Sequence, residues 1–215
     1  MLKKESDILY CLAKVPWKKF TITMLQEDSK KKSRSYLDRV IKRFLKEGVL
    51  RQDSVGHLPV YSLNLDSAKT MVFAGFVLEH HGWGRENIPY EDLQRIIDKI
   101  PYKDYTFIVT GSYASGKQKG KSDIDVVILV EDSCEPKKVY AELSQACELN
   151  IPQIHLYVFR HSEFKEMLSN KEANYGKETA GNCLILSGGQ AYIRLVHEAI
   201  ENGFDGKYFS LESRE

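Results

Sequence analysis

The sequence predicts an α/β (α+β) fold, in which a smaller and mainly helical N-terminal domain precedes a domain built on a β-sheet. Three observations lead to this prediction. Apolar strand patterns stand at 105–109 and 124–130, a helical stripe of apolar residues runs from 37 to 45, and charge differs between the two parts of the chain. A length of 215 residues allows one or two domains, and 42% hydrophobic residues can form a buried core.

Charge is distributed unevenly along the chain, although the formal net charge is only +1. Residues 1–65 contain fourteen Lys and Arg against seven Asp and Glu, whereas the remaining residues contain seventeen against twenty-three. Opposite charge in two segments suggests two domains with different partners, and the basic one is a candidate for binding nucleic acid. Lysines that only solvate one face would give the same composition.

Residues 1–65 carry the pattern of three short helices followed by a β-hairpin. The third helix has apolar residues at helical spacing, and Gly48 follows at the place where a helix end favours glycine. These apolar residues are Leu37, Val40, Ile41, Phe44 and Leu45. Two strand candidates, 49–51 and 59–63, flank a predicted turn at 53–57.

This order of elements resembles the winged helix-turn-helix family of DNA-binding proteins. The resemblance implies that the helix from about Ser33 to Glu47 enters the major groove of DNA. The residues expected nearest the DNA are Arg34, Ser35, Arg39 and Lys42. Winged helices also serve as protein-docking or dimerisation modules, so DNA binding is one of two interpretations. A homodimer is expected only by analogy with winged-helix proteins that bind palindromic sites.

Residues 66–104 have the pattern of a helical connector. Asp66 is expected to cap a first helix that ends near Gly82, and a second helix is expected to stop before Pro101. His80 and His81 are adjacent, so on a helix they point about 100° apart and do not form the spaced pair of a helical metal site. Residues 105–215 are then predicted to form the sheet domain.

The residues that carry chemistry are concentrated between 105 and 130. Asp123 and Asp125 alternate with apolar residues at the start of a strand, so their carboxylates share one face. Two carboxylates about 7 Å apart repel each other unless a cation lies between them, and Mg²⁺ (or Mn²⁺) with its oxygen ligands suits that position. Gly111 and Ser112 lie just upstream and offer N–H groups and a hydroxyl to a phosphate tail. Together these groups point to metal-assisted phosphoryl or nucleotidyl transfer.

A Walker-type phosphate loop is a competing interpretation of this glycine- and lysine-rich segment. Gly111 and Gly116-Lys117 have its spacing, but Gln118 stands where a metal-binding Ser or Thr is required. The later run Gly120-Lys121-Ser122 is followed by a strand pattern, whereas a Walker loop opens a helix. Gln118 and the strand pattern after Ser122 therefore argue against this interpretation.

The run Gly111-Ser112-x-Ala114-x-Gly116, followed by Ser122-Asp123-x-Asp125, resembles the signature of the DNA polymerase beta-like nucleotidyltransferase superfamily, especially its small members. The resemblance implies a mixed sheet and an NTP substrate. It further implies that Gly111 and Ser112 hold the triphosphate, and that Asp123 and Asp125 ligate the divalent metals. Ser122 and Lys121 are further candidates for nucleotide binding.

One feature of that superfamily is missing from this sequence. Its members usually supply a third carboxylate from a later strand, and the matching strand at 154–159 contains no Asp or Glu. His155 and Tyr157 occupy the candidate positions, while Glu148 and Glu163 only flank the strand. His155 is a candidate catalytic base because imidazole accepts protons near neutral pH. A strand histidine bonded to backbone groups is the alternative.

Two functions from different classes remain open. The first is a metal-dependent nucleotidyltransferase that moves an NMP group from an NTP to a hydroxyl acceptor. The second is a DNA-binding transcriptional regulator whose nucleotidyltransferase-like domain is catalytically weak or inactive. Four cysteines without a C-x-x-C pair predict reduced thiols in a cytoplasmic protein. No apolar stretch has the length expected of a membrane span or the pattern of a secretory signal.

Overall fold

The structure is a computed structural model that describes residues 5–120, 122–207 and 209. The first part of the chain forms, in order, α1 (Ser6–Lys14), α2 (Ile22–Asp28), α3 (Arg34–Lys46), β1 (Leu50–Val55), β2 (Leu58–Leu63), α4 (Ala68–Gly82) and α5 (Tyr90–Ile97). The second part forms β3 (Tyr105–Thr110), α6 (Gly111–Ser115), β4 (Ile124–Val130), α7 (Pro136–Glu148), β5 (Ile154–Arg160), α8 (His161–Ser169), α9 (Tyr175–Gly181), β6 (Leu184–Ser187) and α10 (Gly189–Glu201).

The N-terminal segment contains three helices and an antiparallel hairpin, in the order that the sequence predicts. Ser33 caps α3 by accepting a hydrogen bond from the Tyr36 N–H at 3.3 Å. The predicted turn at 53–57 is wrong in length, because β1 continues to Val55 and pairs with Leu58. Gly56 has φ +60°, which allows the chain to reverse within two residues.

Strands β3 to β6 form a mixed four-stranded sheet in the order β5-β4-β3-β6. Strands β4 and β5 run parallel, whereas β3 is antiparallel to both β4 and β6. The parallel pair is connected through α7, as a parallel connection requires. The prediction of a mixed sheet is confirmed.

The two faces of the sheet are covered by different helices. One face, which includes Val126 and Ile128, packs against α5 and α7. The other face, which includes Ile108 and Val127, belongs to a buried cluster that also contains residues of α1, α2, α3, α4, α8 and α10. One continuous core therefore joins the N-terminal helices to the sheet.

Helix α4 holds these two parts of the core together. It packs against α1 on one side and against α10 and β6 on the other. Its N-cap is Ser67, which accepts from the Thr70 N–H at 3.4 Å, so the prediction of Asp66 as the cap is wrong. Asp66 instead forms an ion pair with Arg51, and its Oδ1 lies 3.3 Å from Nε2 of His197. Within the described residues no helix is long and apolar enough to cross a membrane, and all four cysteines are free thiols.

Candidate active site

The predicted site residues meet where β3 ends and where β4 and β5 begin. Thr110 of β3 pairs with Asp125 of β4, and Asp125 pairs in turn with His155 of β5. Residues in register on adjacent strands lie side by side, so these three residues form a row across the sheet. Gly111 follows Thr110 and begins the short helix α6.

Gly111 lies directly against the Asp125 carboxylate. Its φ is +67°, a conformation that L side chains rarely adopt. A Cβ at this position would also overlap the Asp125 side chain. The structure therefore brings the predicted phosphate-binding turn into contact with a predicted metal ligand, and only glycine allows that approach.

His155 faces both aspartates. Its Nδ1 lies 3.6 Å from Oδ1 of Asp125, and its Nε2 lies 3.5 Å from Oδ2 of Asp123. The side chains of His155 and Asp123 are 46% and 45% exposed, so solvent and substrate can reach them. Both ring nitrogens thus face carboxylate oxygens rather than the backbone groups of the alternative interpretation.

Burial raises the pKa of Asp125, and the charge of Asp123 raises it further, while His155 acts in the opposite direction. The cause is the partial removal of this carboxylate from water at the edge of the core. A carboxylate in such a position gains free energy from a nearby cation. A bound cation would therefore stabilise the ionised form of Asp125.

Asp123 and Asp125 suit a magnesium ion whose remaining ligands come from substrate and water. Among the described residues, no group of three or more His, Cys, Asp or Glu side chains is arranged to hold a metal ion. Mg²⁺ in proteins is commonly bound by one or two carboxylates together with substrate phosphates and water, rather than by an all-protein cage. Two hard oxygen donors beside a turn that suits phosphate match that mode of binding.

A cavity of about 630 Å³ opens beside Asp125 and Gly111. Its other walls are Thr110, Tyr175, Glu178, Gly181, Asn182 and Phe209. Burial raises the pKa of Tyr175 well above its ordinary value, and the charge of Asp125 adds to that effect. The cavity therefore adjoins two of the predicted site residues, Gly111 and Asp125.

Asn182 is a residue of this site that sequence reasoning missed. Its Nδ2 donates to the Gly111 carbonyl at 2.7 Å, and its own carbonyl accepts from Thr110 Oγ1 at 2.7 Å. These two bonds hold the end of β3 and the start of α6 in place. Asn182 lies about 70 residues from Gly111, and an asparagine near a helix end is too common for the sequence to reveal this role.

The other candidate residues differ in where they lie and in what they contact. The Ser122 hydroxyl accepts from the Lys119 N–H at 2.8 Å and thereby closes a turn in the loop before β4. Lys121 lies outside the described residues. Ser112 is half-buried in the first turn of α6, next to Gly111. The ring of Tyr157 packs against Tyr175, with ring centroids 4.5 Å apart.

The flanking glutamates do not supply the missing carboxylate. Glu163 lies at the far end of β5, where its Oε2 accepts from the Arg160 N–H at 2.7 Å and caps α8. Glu148 ends α7 and is exposed, and it lines a separate groove beside His155 and Tyr157. His155 is the side chain that occupies the position opposite Asp125.

The predicted DNA-contacting residues lie on α3, in a separate region of the molecule. Arg34, Ser35, Arg39 and Lys42 are all exposed. In the part of the chain that the structure describes, no ion pair involves Arg34, Arg39 or Lys42, whereas Arg43 pairs with Glu5 and Glu47. Unpaired cations on one helix are available to an anionic partner.

One family model matches part of the chain. Residues 91–176 match the family model described as nucleotidyltransferase domain. The match covers β3, β4 and β5, and with them Gly111, Asp123, Asp125 and His155. Comparison with curated proteins and with solved structures gives no significant match. The family match supports the nucleotidyltransferase superfamily, and with it the general activity of transfer from an NTP.

Proposed function

We propose that this protein is a metal-dependent nucleotidyltransferase that moves an NMP group from an NTP to a hydroxyl acceptor. The row Thr110, Asp125 and His155 carries the proposal, because it sets a carboxylate and an imidazole against the Gly111 turn within the matched family segment. Asp123 completes the arrangement as the second carboxylate facing His155.

The proposed binding mode places the triphosphate over Gly111 and Ser112. Since Gly111 contacts Asp125, phosphate oxygens at this turn would lie within reach of a cation held by Asp123 and Asp125. Mg²⁺ or Mn²⁺ in that position supplies neutralisation of phosphate charge and activation of the attacking hydroxyl. The two aspartates would hold the cation and thereby orient the phosphates, and Gly111 allows the phosphate tail to approach the backbone.

His155 is proposed as the base for the acceptor. The acceptor oxygen forms a bond to the α-phosphorus, the bond from that phosphorus to the bridging oxygen of the β-phosphate breaks, and pyrophosphate leaves with the electron pair. The acceptor proton passes to a ring nitrogen of His155. A histidine whose ring faces both carboxylates lies where it can take up this proton.

Nucleotide binding in the presence and absence of Mg²⁺ tests the proposal. We expect the wild-type protein to bind NTP only in the presence of Mg²⁺. With a suitable acceptor, we also expect it to release pyrophosphate. Both should be lost in Asp123→Asn/Asp125→Asn. Asp104→Asn, which removes an exposed carboxylate next to the opposite end of β3, should retain both. Absence of nucleotide binding by the wild type would refute the proposal and favour a regulator with an inactive nucleotidyltransferase-like domain.

A second proposal concerns the N-terminal segment. We infer that residues 1–65 form a winged helix-turn-helix domain that binds DNA through α3. The observation that favours it is the exposed set Arg34, Arg39 and Lys42, which lacks ion pairs in the described part of the chain and lies on a helix that precedes a hairpin. Such a domain would bring the transferase to nucleic acid or would regulate it.

Salt-dependent DNA binding tests this second proposal. Arg39→Ala/Lys42→Ala should weaken binding and reduce the slope of log affinity against log salt by about two, one for each lost phosphate contact. The control Lys137→Ala/Lys171→Ala removes the same charge from exposed sites elsewhere. If both double variants lose affinity equally, only net charge matters and α3 is not the binding element.

A further inference from the structure

Helix α4 exposes an apolar face on the side that is turned away from the core. Val72, Phe73 and Phe76 are 46%, 41% and 54% exposed, and we call these three residues the α4 patch. At about 100° per residue, the three side chains lie within an arc of roughly 100°. The opposite face packs against α10 through Gly75, where a Cβ would overlap the backbone of Gln190. Exposed apolar side chains grouped on one face are the kind of surface that marks an interaction site.

A groove of about 260 Å³ lies directly beside the α4 patch. Helices α1, α3 and α4 form its walls, and its apolar lining consists of Leu9, Phe44, Phe73, Phe76 and Val77. Phe76 therefore both projects from the surface and borders a concave apolar space. One surface thus presents the two shapes that an interface between identical molecules requires, since the same patch must contact itself.

The charge around the groove selects the kind of partner. The rim contains Glu5, Arg43 and Glu47, and Arg43 pairs with both acids. Lys69 pairs with Glu47 at 3.4 Å and also lies over the ring of Phe73. Among the described residues of this rim, two cations balance two anions, so these residues lack the positive excess that a nucleic acid requires. An aromatic centre within a balanced polar rim is typical of protein interfaces, and a balanced rim meets its own copy without repulsion.

We propose that the α4 patch and this groove form the interface of a twofold dimer, with Phe76 of each copy inserted into the groove of the other. The proposal is independent of the nucleotidyltransferase activity. On α3, Arg39 and Lys42 point away from Phe44 by more than 100° at helical spacing. The dimer therefore leaves the exposed cations of both copies free.

Sedimentation equilibrium of the full chain over a range of concentrations tests the interface. We expect a wild-type dimer at micromolar concentration, and Phe76→Glu should raise the dimer dissociation constant about a hundredfold or more, as loss of a central aromatic contact does. Leu58→Glu is the matched control, because Leu58 is 64% exposed at the hairpin tip and should leave the dimer unchanged. Circular dichroism verifies that each variant is folded, and Val72→Glu is the second interface variant.

The possible results distinguish a second copy of this chain from a different protein as the partner of this surface. A wild-type chain that stays monomeric at about 100 μM, well above the dissociation constants of stable dimers, would overturn the proposal and assign the surface to a different protein. A dimer that survives both Phe76→Glu and Val72→Glu would also overturn it, because another surface would then form the contact. Loss of the dimer in these two variants but not in Leu58→Glu supports the interface.

Discussion

Gly111 shows how closely one residue can depend on backbone conformation and on a neighbour. Its positive φ and the adjacent Asp125 carboxylate are separate constraints, and any side chain violates both. We expect Gly111→Ala to abolish nucleotide transfer and to lower the free energy of unfolding by about 1–3 kcal/mol. Urea denaturation and pyrophosphate release measure the two effects.

Gly120 provides the control for this prediction. It lies in the same loop region, a Cβ there meets no atom within 4 Å, and its φ is not positive. Gly120→Ala should therefore change stability by no more than about 0.5 kcal/mol, as substitutions at open surface sites do. Equal losses in the two variants would show that the loop tolerates no alanine, irrespective of Asp125.

His161 should make the stability of the protein depend on pH. Burial lowers its pKa, and its Nε2 is buried without a hydrogen-bond partner in the described residues. A histidine with a depressed folded pKa is held neutral, so its contribution to stability is present above the unfolded pKa of about 6.5 and is lost as the pH falls. We expect the wild type to lose more stability than His161→Asn between about pH 7 and pH 5.

Urea denaturation at the two pH values checks this expectation. His57→Asn serves as the control, because His57 is exposed in the hairpin turn. If His161→Asn and the wild type lose the same free energy of unfolding on acidification, burial of His161 does not cause the pH dependence.

At the scale of elements, the crossing of α4 and α10 depends on a pair of glycines. A Cβ at Gly75 would overlap the backbone of Gly189 and Gln190, and a Cβ at Gly189 would overlap the backbone of Gly75. Glu79 strengthens the contact, since its Oε1 accepts from the Gly189 N–H at 2.6 Å. Close approach of two helices is possible here because neither residue has a side chain.

Whether Gly75→Ala raises or lowers the free energy of unfolding tests this crossing. Helix propensity alone favours alanine over glycine by about 1 kcal/mol inside a helix. Because alanine would force α4 and α10 apart, we expect a loss of about 2 kcal/mol or more instead. The melting temperature and urea midpoint measure the change, and a gain in stability would show that the two helices separate at little cost.

At the scale of the whole molecule, the continuous core predicts cooperative unfolding. The cluster that contains Phe20 and Leu37 of the N-terminal segment also contains Val127 of the sheet and Tyr192 of α10. Trp17 packs against Phe204, which ties the N-terminal segment to the chain after α10. We expect fluorescence of the two tryptophans and far-ultraviolet circular dichroism to report one coincident urea transition. Two separated transitions would show that the segments unfold as independent domains.

Much of the candidate site could be predicted because its signals are local. Gly111, Ser112, Asp123 and Asp125 lie within fifteen residues, and the alternation of a strand places both carboxylates on one face. The helix ending before Gly48 and the order of the N-terminal elements follow from periodicity in the same way. The position of the cap of α4 was wrong by one residue, since Asp66 and Ser67 are both good caps and only packing separates them.

The sequence by itself determined the residue types available for chemistry, the strand that carries both aspartates and the absence of a third carboxylate from β5. Only the tertiary structure decided that His155 faces both aspartates, that Asn182 holds Gly111 and that Glu163 lies at the wrong end of β5. These contacts depend on the register of β4 with β5 and on the approach of α9 to β3. Register between distant strands is set by burial of the whole core, and no local pattern encodes it.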